Sequence, residues 1–202
     1  STHCISSAAS DVYKRQCMMS GCAKCPPITF SSVLDIQADE SGTRTMSVTA
    51  NKRTLQKLFH NSNFSFQSFI TANCPKGLEW NYVDTASAYE LTFVLSFNSL
   101  DEYQEKIDAL TGIEQFSSIS RPQVGVKTGF TLSEPDDVMA VFAWFTDALK
   151  ERTGLSDSKL LAYLSQQENE LIYNGRSYKS QNNALAVSYT HLRAHETGRN
   201  LV

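Results

Sequence analysis

Residues 91–97 read LTFVLSF. Leu91, Phe93, Leu95 and Phe97 alternate with Thr92, Val94 and Ser96. A period of two puts one face of a strand in a core and the other toward water. Directly after it, Ser99 and Glu102 have the spacing of a capping box, which satisfies the amides left open at a helix start. Leu100, Tyr103, Ile107 and Leu110 then share one helical face, with Asp101, Glu105 and Asp108 outside it. Gly112 is placed to stop that helix. A strongly one-sided strand leading into a one-sided helix needs the two apolar faces to meet. The expected fold is therefore α+β, with antiparallel β-hairpins forming a sheet covered on one face by amphipathic helices.

The rest of the chain fits that frame. Leu34, Ile36 and Ala38 alternate with Asp35 and Gln37. Glu40-Ser41-Gly42 turns the chain, and Met46, Val48 and Ala50 resume the alternation. Asn51 can cap a helix bearing Leu55, Leu58 and Phe59. The stretch Asn61-Ser62-Asn63 interrupts it, and Phe64, Phe66, Phe69 and Ile70 predict a second helix ending near Asn73-Cys74-Pro75. Leu78, Trp80 and Tyr82 predict the partner strand of residues 91–97. Further on, residues 124–132 read as a strand. Pro135 suits the first turn of a helix, with Asp136 and Asp137 favourable to its dipole. That helix carries Val138, Val141, Phe142, Phe145 and Leu149, with Trp144 at the stripe's edge as core rather than ligand platform. A short helix over 158–165 and a tight hairpin over 171–178 follow. Its Asn174-Gly175 supplies the positive φ that such a turn needs.

The two ends fit no structural pattern. Residues 6–16, SSAASDVYKRQ, and 187–197, VSYTHLRAHET, both back-translate to strings resembling the two adaptors of a sequencing-library transposase. They stand in the order and orientation of a library insert. Residues 1–16 and 187–202 are therefore read as adaptor-derived and expected to add no stable packing. This reading sets aside His3, Cys4 and the helical zinc-like spacing of His191 and His195. With the ends removed, the 18 Lys and Arg fall to 14 and the 21 Asp and Glu to 19, a formal net charge of −5. That balance and the lack of a basic run argue against a nucleic-acid partner. His60 is the only histidine between residues 17 and 186. It has no metal-ligand spacing around it, so neither a metal nor a cofactor is expected.

Residues 17–27 begin CMMSGCAK. Met19, Ser20 and Gly21 before Cys22 resemble a bacterial lipobox: an apolar residue, two small residues for the peptidase, then the thiol that takes diacylglyceryl. Residues 17–27 are thus expected to be a lipobox remnant and tether. Lipidation of Cys22 would anchor the chain by its acyl groups to the outer face of a bacterial membrane. Cys25 and Cys74 would be the other cysteines of the mature chain. They could pair in an oxidising compartment, or both could be free.

Three phrases carry a family resemblance: SGC at 20–22, SGTRTMSVT at 41–49 and LSFNSLDEYQEKI at 95–107. Together with the order lipobox, hairpin, helix, hairpin, helix, they resemble the LppM-type lipoprotein domain of bacterial surfaces. The resemblance covers residues 20–112 and implies an α+β domain on a lipid tether, with no catalytic residue to carry over. Residues 28–112 are expected to form that domain and 113–186 an α+β extension of it.

Three functions fit. The first is a surface lipoprotein whose domain binds or spaces without chemistry, its membrane partner reached through the lipid and its envelope or protein ligand unnamed. The second is an extracytoplasmic enzyme on cell-wall polymer, with Glu134, Asp136 and Asp137 as its best carboxylates. Such a site needs two carboxyls facing each other across a cleft, whereas adjacent acids at a helix start are ordinarily caps. The third is an intracellular protein in which MSGC is chance.

Overall fold

The computed structural model describes residues 26–60, 64–124, 127–179 and 183–192. A six-stranded sheet runs in the order β3-β4-β2-β1-β8-β9. Its strands are β1 (Ile28–Ile36), β2 (Gly42–Asn51), β3 (Glu79–Asp84), β4 (Ala88–Phe97), β8 (Leu164–Tyr173) and β9 (Arg176–Tyr178). A smaller sheet runs β10-β7-β5, with β6 pairing the start of β7. It comprises β5 (Ser118–Ser120), β6 (Gln123–Val124), β7 (Lys127–Pro135) and β10 (Ala184–Leu192). The described helices are α1 (Lys52–Phe59), α2 (Phe66–Asn73), α3 (Leu100–Thr111), α4 (Val138–Val141), α5 (Ala143–Thr153) and α6 (Asp157–Leu161). The fold is α+β, as the alternation in residues 91–97 requires.

One face of the large sheet is apolar except around Ser32 and Arg44. Ile28, Phe30, Leu34 and Ile36 on β1, Met46 and Val48 on β2, and Leu91, Phe93, Leu95 and Phe97 on β4 are all buried. Helices and the small sheet cover this face. Phe142 lies 4.9 Å from Phe30, ring centre to ring centre, and Phe145 lies 5.6 Å from it. Tyr103 of α3 meets Phe97 at 4.8 Å. At the β8 end, Phe130 of the small sheet stands edge-on to Tyr173 at 5.4 Å. Residues before and after Gly112 contribute to this one core. The opposite face carries Ser31, Val33, Thr43, Thr45, Ser47, Thr92 and Val94, each partly exposed.

Local chemistry sets the helix ends largely as expected. Asn51 accepts from the Arg53 amide, Ser65 caps α2, and Ser99 accepts from the Glu102 amide at 3.2 Å. The reciprocal half of the last cap differs by one residue, since Glu102 accepts from the Asn98 amide. Gly112 closes α3 at φ 68°. Asn174 and Gly175 both take positive φ in the β8–β9 turn.

Four expectations are corrected. Strand β1 pairs with β8 in parallel, so the sheet is not built from hairpins alone. Pro135 ends β7, paired with Ala184, instead of opening a helix; a strand end tolerates the missing N–H. Asp137 caps α4 by accepting from the Ala140 amide, and the helical stripe divides at Phe142, whose φ of −103° breaks it into α4 and α5. Finally, Val187–Leu192, read as adaptor-derived and unpacked, belongs to β10 and pairs with β7. Val187 is buried and Tyr189 packs on the core. The physical reason is alternation: Leu185, Val187 and Tyr189 share a parity that suits a strand whatever their origin. His191 is therefore in a strand, without the helical spacing of a zinc pair. Val12, Tyr13 and His195 lie outside the described residues.

Gly42 leaves no room for a side chain between β1 and β2. A Cβ there would stand 2.1 Å from the Asp35 carbonyl oxygen and 2.7 Å from the Phe97 ring. Gly42→Ala is expected to pry this pair apart and cost about 1–3 kcal/mol. The check is a lower urea midpoint with an unchanged slope.

Candidate functional site

The inward parity of β2 holds one residue that does not belong in a hydrocarbon core. Met46, Val48 and Ala50 point inward, and so does Arg44, with no exposed surface. In the ladder it sits between Leu34 of β1 and Leu95 of β4. An unpaired guanidinium could not remain there, and five side-chain contacts satisfy it. Its Nε donates to Ser32 Oγ at 2.8 Å. Its Nη1 donates to the Tyr103 hydroxyl, and to Glu134 Oε1 and Oε2 at 2.8 and 3.1 Å. Its Nη2 donates to Asn169 Oδ1 at 3.3 Å. The Tyr103 hydroxyl in turn donates to Glu134 Oε2 at 2.8 Å.

These partners come from β1, α3, β7 and β8, so one cation ties the large sheet to the small sheet and to α3. Burial by itself would lower the Arg44 pKa, but Glu134 and Tyr103 together outweigh it and raise the value. Burial, reinforced by Glu134 and opposed by Arg44, pushes the Tyr103 hydroxyl well above the usual tyrosine range. Glu134 is only 2% exposed. The charge pair is thus sealed from solvent and internally matched, which suits it to fixing geometry rather than to meeting a substrate.

Asn169 connects this network to the surface. Strand β8 contains a bulge: Phe30 faces Gln166, but Ser32, two residues on, faces Asn169. The extra residue turns Asn169 toward Ser32 and Arg44 and leaves Gln167 and Glu168 exposed. Beside the bulge lies a cleft of about 300 Å³, lined in part by Asp136, Glu168, Asn169, Glu170 and Lys179. Ser177 donates to Glu170 across the β8–β9 pair. Three carboxylates against one ammonium make the cleft electronegative, a better fit to cationic or hydroxyl-rich groups than to anions. Among the described residues, no three His, Cys, Asp or Glu side chains gather as a metal ion would need.

The three acids singled out from sequence go separate ways. Glu134 is internal with Arg44, Asp136 lines the cleft, and Asp137 caps α4. Asp101 pairs with Arg121, and Glu102 with Lys106. The hydrogen bond from Lys106 holds the Glu102 carboxyl down to about 2. His60 is the exposed left-handed cap of α1. Trp144 stands edge-on to Phe93 and Phe145 at 5.2 and 5.6 Å, as a core residue does. Cys74 caps α2, partly exposed and forming no disulfide among the described residues. Met19, Ser20, Gly21, Cys22 and Cys25 lie outside those residues.

Arg44 was legible by parity: it stands two residues before Met46 on the buried face of an alternating strand. Glu134 likewise extends the parity of Phe130 and Leu132, and Tyr103 lies on the apolar stripe of its helix. What sequence could not supply was that the three meet.

No family model matches the chain, and no curated protein does. Among solved structures, the NMR structure of the folded domain of LppM from Mycobacterium tuberculosis is similar at a TM-score of 0.33 and 7% identity. That comparison covers 83% of this chain and 89% of the other.

Removing one member of the buried pair leaves the other uncompensated. Arg44→Met or Glu134→Leu alone is expected to cost about 3–5 kcal/mol. The double variant should cost less than the two singles summed, which a double-mutant cycle by urea unfolding would read. Tyr103 gives a second expectation. In the unfolded chain it loses its proton near pH ~10, while in the fold it keeps it. Its contribution is then complete below that pH and shrinks as pH rises toward the folded value. Tyr103→Phe should flatten the loss of stability above pH ~10 relative to wild type, measured as urea midpoint against pH.

Proposed function

We propose that the chain is the domain of a bacterial surface lipoprotein, anchored through lipid on Cys22 to the outer face of the membrane. It would act there by binding or spacing, without chemistry of its own. The carrying observation is the position of MSGC relative to the fold. Cys22 stands four residues before Pro26, and Pro26 is already held, its carbonyl accepting the Thr54 hydroxyl at 2.6 Å. Two residues later the Ile28 amide donates to Tyr163. On this reading only Ala23, Lys24 and Cys25 would separate the lipidated residue from the held start of the fold. A non-catalytic role is supported by the internal matching of Arg44 with Glu134 and by the capping duty of Asp137.

A second reading has one observation in its favour. Asp136 shares a cleft with Glu168 and Glu170, and an enzyme on cell-wall polymer would need acids so grouped. Under the first reading that cleft recognises an envelope or protein ligand through hydroxyl or cationic groups.

The anchor is tested by metabolic labelling with a clickable fatty acid, using the chain behind a lipoprotein signal segment in a bacterial host. Label on the wild type that vanishes in Cys22→Ala is the expected result. An unlabelled wild type would remove the anchor and favour the intracellular alternative.

A further inference from the structure

Helix α1 carries its charge against local preference. Lys52 and Arg53 fill its first turn, where the positive end of the helix dipole disfavours cations, and no acid offsets them there. Lys52 is compensated from outside the helix, by Asp84 and by the Tyr89 ring, whose centre is 5.0 Å from Nζ. The Arg53 guanidinium makes no ion pair among the described residues. Thr54, Leu55 and Leu58 are the buried side of α1. Arg53, Gln56, Lys57 and His60, at i, i+3, i+4 and i+7, form an exposed stripe without a carboxylate. The chain as a whole is net negative, at −3, so this stripe is a local reversal of sign.

Its place in the fold gives the reversal meaning. Thr54, on the buried side of the same helix, holds Pro26, so α1 flanks the start of the folded chain. The α6–β8 turn flanks it too, through Tyr163 and Ile28. There α6 presents Leu161, 43% exposed, with Lys159 also exposed, while Asp157 is occupied by Lys150. Four residues reach about 14 Å at full extension, so a lipid on Cys22 would keep this end of the domain within that distance of its bilayer.

We propose that the exposed stripe of α1 is a docking surface for anionic lipid headgroups. It would seat the domain on the membrane in one orientation, with the cleft at the β8 bulge left to other ligands. Basic side chains exposed on one helix face are the chemistry that anionic headgroups attract. The orientation rests on the lipid-anchor reading, but the affinity of the stripe does not.

The test therefore uses the full chain without lipid, as Cys22→Ser. Its partition onto phosphatidylcholine vesicles holding roughly 30 mol % phosphatidylglycerol is compared with partition onto phosphatidylcholine alone. The anionic vesicles should be preferred by about tenfold or more at low ionic strength, and less as salt rises. Arg53→Glu with Lys57→Glu should abolish the preference. Arg176→Glu, on the distant edge strand β9, should leave it in place. Arg53→Glu alone should hold or raise the thermal midpoint while weakening binding, because a carboxylate in the first turn suits the dipole. A purely structural role would move both together. Equal preference in the double variant and the wild type would overturn the proposal, as would a wild type with no preference. A preference that survives a failed fatty-acid labelling would uphold the docking surface and remove only the tether.

Discussion

The Arg44 side chain is the point on which the two sheets and α3 agree. Its partners are separated from it by 12, 59, 90 and 125 residues along the chain. A hydrophobic contact tolerates sliding, because one apolar neighbour is nearly as good as another. A buried guanidinium does not, because each donor left without an acceptor costs desolvation with no return. The small sheet can therefore sit against the large one only where Glu134 reaches Nη1, and α3 only where the Tyr103 hydroxyl fits between them. Buried ion pairs add little net stability compared with well-packed apolar groups. Their contribution here is the choice of one arrangement among several of similar burial.

The bulge in β8 follows from the same demand. Without the extra residue, the parity set by Leu164 and Gln166 would run on to Glu168, and Leu171 and Tyr173 would face away from the core. With it, Asn169 faces Arg44, and Leu171 and Tyr173 are buried. The shift that completes the guanidinium's shell also leaves Gln167 and Glu168 along the wall of the cleft. The cleft is thus a consequence of the interior: its shape depends on a strand irregularity held from inside by Arg44 and outside by the Ser177–Glu170 hydrogen bond.

These features also divide what sequence could reveal from what it could not. Strands β1 to β4 and helices α1 to α3 were legible because periodicity and caps agree: Leu91 to Phe97 alternate, Ser99 caps, Gly112 stops. The second half failed where parity breaks. At β8 the bulge interrupts alternation, so Leu164 and Ser165 read as the end of a helix and the strand was legible only from Leu171. At Pro135 the local preference for a helix start lost to pairing with Ala184, a partner 49 residues away that no local rule identifies. The parallel pairing of β1 with β8 is likewise non-local. For the site, Arg44, Tyr103 and Glu134 each stood at an inward position that parity could name, but their meeting depends on sheet-to-sheet packing.

Arg44 and Arg53 break local rules in opposite ways, and the contrast separates structure from contact. Arg44 places a charge on an apolar face, and the fold answers with acceptors from four other elements, so the violation is resolved internally. Arg53 places a charge at the wrong end of a helix dipole, and no ion pair among the described residues answers it, although Lys52 beside it has two partners. An exposed electrostatic conflict that the fold does not answer marks a candidate contact with something outside it. Under the proposed anchor, the nearest constraint outside this fold would be a lipid four residues before Pro26. A surface that attracts cations would resolve the conflict at Arg53 without any change in the domain itself.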